Sequence, residues 1–269
     1  MKRACADLFS QSDPAMNLIA SSLALLLLLG SSGKALAAGW LLRAAVQEGS
    51  APKYQEGPPG KGGPRGLCPD FLRAIESVDP EIRFEIDPTP TPLRRIEKSL
   101  EEGRIDVLCA LLETARRHQI AHRLGTPLYS VRERLVALRS EAQAPKSFDD
   151  LASLGGLVAV QAGASYGDKL RRHGVAVDES ETGVALRNIV RRRVRYYYGN
   201  ELTCVYYIQA AHLGGELALV PGVMGETPSH FWAGRHLDPA LVRRLDAALL
   251  KLKRNGSLER IYNRYAEMH

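Results

Sequence analysis

The amino-acid sequence predicts an α/β protein of two lobes, each a mostly parallel sheet flanked by helices. Three observations lead to this prediction. Strand and helix patterns alternate in the first half of the chain, as they do in parallel βαβ units. The same alternation repeats in the middle of the chain. A strongly helical tail follows, and its return to the first lobe would give the chain two hinge crossings between the lobes.

The first lobe is expected to contain three strands separated by two helices. Apolar runs and alternating patterns predict strands at Leu41–Val46, Glu81–Ile86 and Ile105–Leu112. Helical spacing predicts helices at Pro69–Val78 and Leu93–Leu100, and Gly103 ends the second. The Gly-, Pro- and Lys-rich residues 47–66 are predicted to form a long loop, and the Pro-rich residues 87–92 to end the second strand.

The second lobe and the tail repeat these signals. Strands are predicted at Leu157–Val160, Val194–Tyr198 and Leu217–Val220. Helices are predicted at Phe148–Leu151, Tyr166–Arg172, Gly183–Val190 and Leu202–His212. In the tail, one helical face is formed by Leu241, Leu245, Leu249 and Leu252, and a second helix follows Asn255-Gly256. Ligands in open α/β sheets bind beyond the carboxyl ends of the strands, so the site is expected between the lobes.

The amino terminus has the features of an export signal. Residues 18–29, LIASSLALLLLL, are long enough for the core of a signal peptide and too short to span a bilayer. A small-x-small cleavage site follows at Ala35-Leu36-Ala37. We therefore expect residues 1–37 to be a signal peptide cleaved near Ala37, with translation starting at Met1 or Met16, and the mature protein to be periplasmic. A retained membrane anchor is the alternative.

The composition and net charge narrow the class of protein. With 45% hydrophobic and 25% charged residues, the chain has ordinary globular composition. The net charge is +6, and basic residues cluster at 191–195. Because no nucleic-acid-binding module accompanies them, we interpret this cluster as a solvated face and expect no nucleic-acid partner.

Three cysteines lie beyond the signal peptide, namely Cys68, Cys109 and Cys204. Their odd number and the absence of a C-x-x-C motif argue against a zinc ribbon or a disulfide-dense scaffold. One disulfide can form in an oxidising compartment, and the sequence does not select the pair. Since Cys109 lies in an apolar run, we expect a buried thiol there.

An ordered series of short motifs runs along the mature chain. They are Leu100-x-x-Gly-Arg-Ile-Asp106, Thr114-Ala-Arg-Arg117, Thr126-Pro-Leu-Tyr129, Phe148-Asp-Asp-Leu151, Val158–Ser165, Asp238-Pro-Ala-Leu241 and Asn255–Tyr262. In this order they resemble the bacterial periplasmic solute-binding proteins of family 3. The resemblance implies the two-lobed periplasmic-binding-protein fold, with lobe one at 41–130 plus 229–269 and lobe two at 131–228.

The same resemblance implies the function. We expect a monomer that captures a small polar ligand between its lobes, uses no cofactor or metal and performs no catalysis. It would deliver the ligand to the membrane permease of an ABC transporter or to a sensor protein. The hinge crossings are expected near Ser130–Glu133 and Gly222–His230.

The T-x-x-R motif implies that Arg117 is the main anion-binding residue. A guanidinium pairs both oxygens of a carboxylate and stays charged at any relevant pH. Thr114 is expected to add a hydroxyl. In the second lobe, Gly163 and Ser165 lie between a strand and a helix, where backbone N–H groups can bind an anion.

Two departures from the family pattern bear on the ligand. Asn200 stands where the amino-acid receptors have an Asp that binds the ligand's ammonium group, and an amide supplies no full counter-charge. Leu93 and Arg94 stand where the second aromatic clamp is expected, while Tyr54 can serve as the first. We therefore expect either a ligand more anionic than a zwitterionic amino acid or a divergent receptor, with Arg94 as a further candidate cation.

Parts of the sequence also match three other functions. Some relatives of this architecture are cyclohexadienyl dehydratases, for which Glu113 or Glu201 would have to act as an acid of raised pKa. The turn at Ser165 matches the G-x-S-x-G motif of serine hydrolases, whose other members would be Asp178 and one of His212, His230 and His236. His118 and His122 have metal-ligand spacing on a predicted helix. A solvated helix surface is the preferred interpretation of that pair.

Overall fold

A computed structural model describes residues 39–57, 62–141 and 143–267. The predicted signal peptide, residues 1–37, lies outside these ranges. None of the helices within them is both long and apolar enough to cross a membrane.

The first α/β unit follows the predicted order of strands and helices. Its elements are β1 (Trp40–Gln47), α1 (Leu67–Val78), β2 (Ile82–Thr91), α2 (Leu93–Glu101), β3 (Val107–Leu111) and α3 (Ala115–Ile120). Strands β1 and β2 are parallel, as expected for a βαβ unit. The N–H of Asp106 donates to the carbonyl of Arg43 and brings the start of β3 beside β1.

Two long strands connect this unit to the second one. Strand β4 (Ala121–Leu138) runs antiparallel to the strand Gly225–Gly234, and their pairing extends from Ala121 opposite Gly234 to Glu133 opposite Gly225. From Glu133 onward, β4 pairs with the strands Tyr196–Asn200 and Leu217–Leu219 of the second unit, within the same seven-stranded sheet of the described residues. The chain therefore crosses twice between the units, once in each strand, as predicted.

The second unit completes the chain. It contains α4 (Phe148–Ser153), β5 (Leu157–Gln161), α5 (Tyr166–Arg172), β6 (Ala176–Ser180), α6 (Thr182–Val190), β7 (Tyr196–Asn200), α7 (Glu201–Ala210) and β8 (Leu217–Leu219). Strand β9 (Gly225–Gly234) then leads to α8 (Pro239–Arg254) and α9 (Ser257–Ala266). In the described residues, the strand pairs that involve neither β4 nor β9 are parallel. The α/β class is confirmed.

Each unit has its own hydrophobic core. One core draws its buried residues from 42–128 and 231–265, and another draws its residues from 136–217. Helix α8 returns to the first unit because Leu245 and Leu249 are fully buried there, as their spacing predicts. This division of the cores supports the lobe boundaries 41–130 plus 229–269 and 131–228, which stay a prediction.

A disulfide joins α1 to β3. It links Cys68 to Cys109, which lie 41 residues apart, while Cys204 is a buried free thiol. The expectation of a buried thiol at Cys109 was therefore wrong. An apolar strand buries a disulfide as readily as a thiol, and only the packing of α1 on β3 brings the partner within reach.

Three other local predictions were wrong. Strand β2 continues through Pro88 and Pro90 to Thr91, because it lies at the edge of its sheet, where a missing N–H is tolerated. Strand β6 was missed because, as a half-exposed edge strand, it lacks an apolar run. Helix α3 ends at Ile120, so His118 and His122 do not share a helix.

Candidate functional site

A cavity of about 60 Å³ lies between the two units, at the carboxyl ends of β1, β3, β5 and β7. A space of this size holds only a small ligand. Its lining residues come from both units and are Gln47, Ser50, Lys53, Leu93, Ala110, Leu111, Leu112, Arg117, Tyr129, Val131, Gln161, Ala164, Ser165, Tyr166, Tyr197, Asn200 and Thr203. The cavity is in the position expected for the ligand of an open α/β sheet.

Arg117 contributes a buried positive charge to this cavity. Its side chain is 2% exposed, and its Nε atom donates to Glu97 Oε1 at 2.7 Å while Nη1 donates to the Leu112 carbonyl at 2.6 Å. Burial lowers the pKa of Arg117 and Glu97 opposes this shift. Within the described residues Nη2 has no hydrogen-bond partner, so a donor remains for a ligand.

Thr114 has a different position from the one expected. It does not line the cavity, and its hydroxyl accepts a hydrogen bond from the Arg117 N–H at 3.1 Å. Thr114 is thus the N-cap of α3, a role that Thr commonly fills. It positions the helix that carries Arg117 and does not face the cavity itself.

Lys53 is the second cation of the cavity, and the sequence interpretation missed it. Its Nζ atom donates to Gln47 Oε1, and burial together with Arg117 lowers the pKa of Lys53 to about 7. The Gly-, Pro- and Lys-rich composition of residues 47–66 indicated only a solvated loop. One sequence signal could have indicated that Lys53 lies near the site. Lys53 follows the carboxyl end of a buried strand, and the residue beside it, Tyr54, is aromatic.

Asn200 lines the cavity, and its role in ligand binding stays a prediction. It is the last residue of β7, and its Oδ1 atom accepts from the Leu202 N–H at 3.0 Å, which caps α7. Tyr129 of β4 also lines the cavity. Among the described residues that line the cavity there is no Asp or Glu. The cavity therefore carries two basic side chains and no carboxylate.

The turn before α5 is only partly available to a ligand. Ser165 lines the cavity, but the Gly163 N–H donates to Glu179 Oε2 at 3.3 Å. Gly163 has a φ of +75° and lies in an outer groove that adjoins the cavity. Since Glu179 already occupies this backbone donor, the expected anion contact at Gly163 is not free.

Arg94 and Tyr54 also lie outside the cavity. Arg94 has a 73% exposed side chain and pairs with Glu179 at 2.8 Å, so it links α2 of the first unit to β6 of the second. Tyr54 is 7% exposed and packs in the first core, where burial raises its pKa. The structure thus places neither the candidate cation nor the candidate clamp in the cavity lining.

Comparison of the chain with known protein families and solved structures agrees with this geometry. The model of the bacterial extracellular solute-binding proteins, family 3, matches residues 42–268. The chain belongs to this family. The resemblance that the motifs indicated is confirmed. No curated protein matches the sequence significantly.

Several solved structures share the two-lobed periplasmic-binding-protein fold of this family 3 protein. A histidine kinase sensor domain similar to periplasmic binding proteins has a TM-score of 0.73 at 20% identity, over 85% of this chain and 96% of that one. A substrate-binding protein of an amino acid ABC transporter from Streptococcus pneumoniae, bound to L-arginine, has a TM-score of 0.69 at 18% identity, over 84% and 94%. An ancestral amino acid-binding protein, described as a precursor of cyclohexadienyl dehydratase, has a TM-score of 0.68 at 20% identity, over 84% and 94%. The predicted fold class is confirmed.

The acids required for a dehydratase are not in the cavity of this family 3 protein. Glu113 is 41% exposed and outside the cavity; burial alone would raise its pKa, but His118 and Arg123 lower it. Glu201 pairs with Arg132 and Arg134 at 3.0 and 2.6 Å and also lies outside the cavity. Neither carboxyl group therefore lies where it could protonate a ligand bound in the cavity.

The hydrolase and metal arrangements are not formed within the described residues. No histidine there lines the cavity or hydrogen-bonds Ser165. His230 instead contacts the Leu124 carbonyl, and His236 contacts Asp106. Nor do three or more His, Cys, Asp or Glu side chains in these ranges form a group that could hold a metal ion.

Proposed function

We propose that this chain is an exported solute-binding protein that holds a small carboxylate-bearing anion between its lobes. The observation that supports this most strongly is the charge of the cavity lining, which includes Arg117 and Lys53 and no carboxylate among the described residues. A zwitterionic amino acid would leave its ammonium group without a counter-charge, and burying an unpaired charge is costly. A carboxylate without an ammonium group satisfies the site.

The lobes are already connected around the cavity. The Gln161 amide donates to the Glu48 carbonyl at 2.9 Å, and the Thr182 hydroxyl donates to the Gly49 carbonyl at 3.1 Å. Both bonds join the loop after β1 to the second lobe. We propose that the ligand first binds Arg117 and that closure then brings the Ser165 and Asn200 side of the second lobe onto it.

Export fits the covalent structure. A disulfide such as Cys68–Cys109 persists in oxidising compartments and is rare in the cytosol. We propose that residues 1–37 are removed near Ala37, that the mature monomer acts in the periplasm and that it passes its ligand to an ABC permease or a sensor protein. Cell fractionation with amino-terminal sequencing tests this, and an intact Met1 in the membrane fraction would contradict it.

The ligand class is tested by thermal shift on residues 38–269. The panel comprises short mono- and dicarboxylates, neutral and basic amino acids, and sugars. We expect carboxylates without an ammonium group to raise Tm, by the equivalent of about 2.7 kcal/mol at a hundredfold excess over Kd. Arg116→Ala is the matched control, because Arg116 lies beside Arg117 but is 47% exposed and pairs with Glu101. A protein stabilised by amino acids and not by these anions would overturn the proposal.

A further inference from the structure

Lys53 is held at the cavity by the backbone around it. Its N–H donates to the Ser50 carbonyl at 2.9 Å, and its carbonyl accepts from the Cys68 N–H at 3.0 Å. The loop is thereby attached to the start of α1. The side chain lines the cavity, where Gln47 is its hydrogen-bond partner. Because Gln47 is neutral, it cannot balance the charge of an ammonium group.

The two cations of the cavity differ in how their charges are balanced. Arg117 has Glu97 as an ion-pair partner, whereas Lys53 has no carboxylate within 4 Å in the part of the chain that the structure describes. Nearby acids are occupied or exposed, since Glu181 caps α6 and the Glu48 residue is exposed. A charged Lys53 therefore has no counter-ion until a ligand supplies one.

The other titratable groups that face Lys53 do not change charge near neutral pH. They are Tyr129 of β4, Tyr166 of α5 and Tyr197 of β7, and burial raises the pKa of each above its ordinary value. Arg117 of α3 stays protonated throughout this range. Lys53 is thus the group in the described lining that can gain or lose a proton between pH 6 and 9.

We propose that Lys53 is a ligand-binding residue and that the ligand is a small dicarboxylate, with one carboxylate on Arg117 and the other on Lys53. This rests on the proposed function, since it assumes that the cavity binds carboxylates through Arg117. The cavity is small, at about 60 Å³, so the dicarboxylate is short. A monocarboxylate would leave one of the two cations unpaired.

The proposal also gives binding a pH dependence. In the empty site, burial and Arg117 hold the pKa of Lys53 near 7. A bound carboxylate favours the charged ammonium and raises this pKa, so binding above pH 7 takes up as much as one proton. Affinity is greatest below pH 7 and falls by up to about tenfold per pH unit above it. Short dicarboxylates are almost fully ionised above pH 7, so the loss of affinity there does not come from titration of the ligand.

The test is calorimetry on residues 38–269 with matched pairs of ligands, namely malonate with propionate, succinate with butyrate and glutarate with valerate. We expect at least one dicarboxylate to bind roughly thirtyfold or more tightly than its monocarboxylate partner at pH 7. Lys53→Met should remove this preference. Lys53→Arg should keep the preference for the dicarboxylate and lose the pH dependence of binding, because arginine does not titrate in this pH range. Lys98→Met is the control, since Lys98 is exposed and pairs with Glu102 outside the cavity.

Proton uptake is measured on the unmodified protein by repeating the titration in buffers of different ionisation enthalpy. Uptake that grows from pH 7 to pH 8.5 in the native protein and is absent in Lys53→Arg supports the proposal. Equal affinity for both members of every pair, with Lys53→Met unchanged, overturns the role of Lys53 and leaves carboxylate binding intact. If none of the six ligands binds, this inference is overturned. The proposed function is decided separately, by the wider panel of the thermal-shift experiment.

Discussion

Replacing Arg117 is expected to affect both ligand affinity and stability. Arg117→Ala removes the buried anion-binding donor, and truncating one member of a buried charged pair typically costs 2–5 kcal/mol of affinity, or about thirtyfold to several thousandfold in Kd. It also leaves Glu97, only 8% exposed, without the donor at 2.7 Å. Breaking such a pair costs about 3–5 kcal/mol of stability, against a total of about 5–15 kcal/mol for a native protein.

A double variant separates the two effects. In Arg117→Met with Glu97→Gln both charges are absent, so no unpaired ion remains in the core and stability should return to within about 1–2 kcal/mol of the native value. Affinity for a carboxylate should stay lost, because Met supplies no donor. Arg117→Lys should recover only part of the affinity, since an ammonium lacks the planar fork.

Urea unfolding without ligand measures stability, and titration calorimetry measures affinity. Arg116→Ala is the control on the same helix and should change neither by much, because exposed ion pairs contribute at most about 1 kcal/mol. Native carboxylate affinity in the double variant would refute the assignment of Arg117 as the binding residue. Unchanged stability in Arg117→Ala would refute the buried pair with Glu97.

Three further predictions follow from particular contacts. Reduction of Cys68–Cys109, or Ser at both positions, should cost about 4 kcal/mol of stability in urea unfolding, from the 41-residue loop that the bond closes. Asn200→Asp should keep the cap on α7 but weaken carboxylate binding at least about tenfold by repulsion, and tighter binding in calorimetry would contradict this. Burial would raise the pKa of Asp106, but Arg43 outweighs it and the pKa falls to about 2. Asp106→Asn should thus lose about 2 kcal/mol at pH 7, and the difference from native should vanish as the pH falls from 4 to 2.

The parts of the fold that sequence predicts well are those governed by local periodicity. Four leucines of α8, namely Leu241, Leu245, Leu249 and Leu252, repeat at helical spacing and face the first core, so the return of the tail was predictable. The strands β3 and β5 are short apolar runs whose residues are mostly buried. Edge strands β2 and β6 were predicted poorly or not at all, because half-exposed strands need no apolar run.

The residues of the candidate site also differ in how well the sequence predicts their roles. The residue types at Arg117 and Asn200 are the basis for predicting an anion-binding cleft, because a charged fork and the absence of an acid are properties of single positions. The anionic ligand itself stays a prediction. The roles of Thr114, Gly163 and Arg94 could not be predicted, because each depends on a partner distant in space or sequence. Glu179, for instance, lies 85 residues beyond Arg94 and satisfies both Arg94 and the Gly163 N–H.

By itself, the sequence determined the family and the order of those strands and helices that have a strong apolar pattern. Tertiary structure alone decided that Cys68 pairs with Cys109 and that Lys53 turns from a loop into the cavity beside Arg117. The physical reason is that hydrophobic patterning specifies which face of an element is buried. Which side chain meets which depends on the packing of separate elements, and the low pKa of Lys53 arises only after that packing has removed water from it.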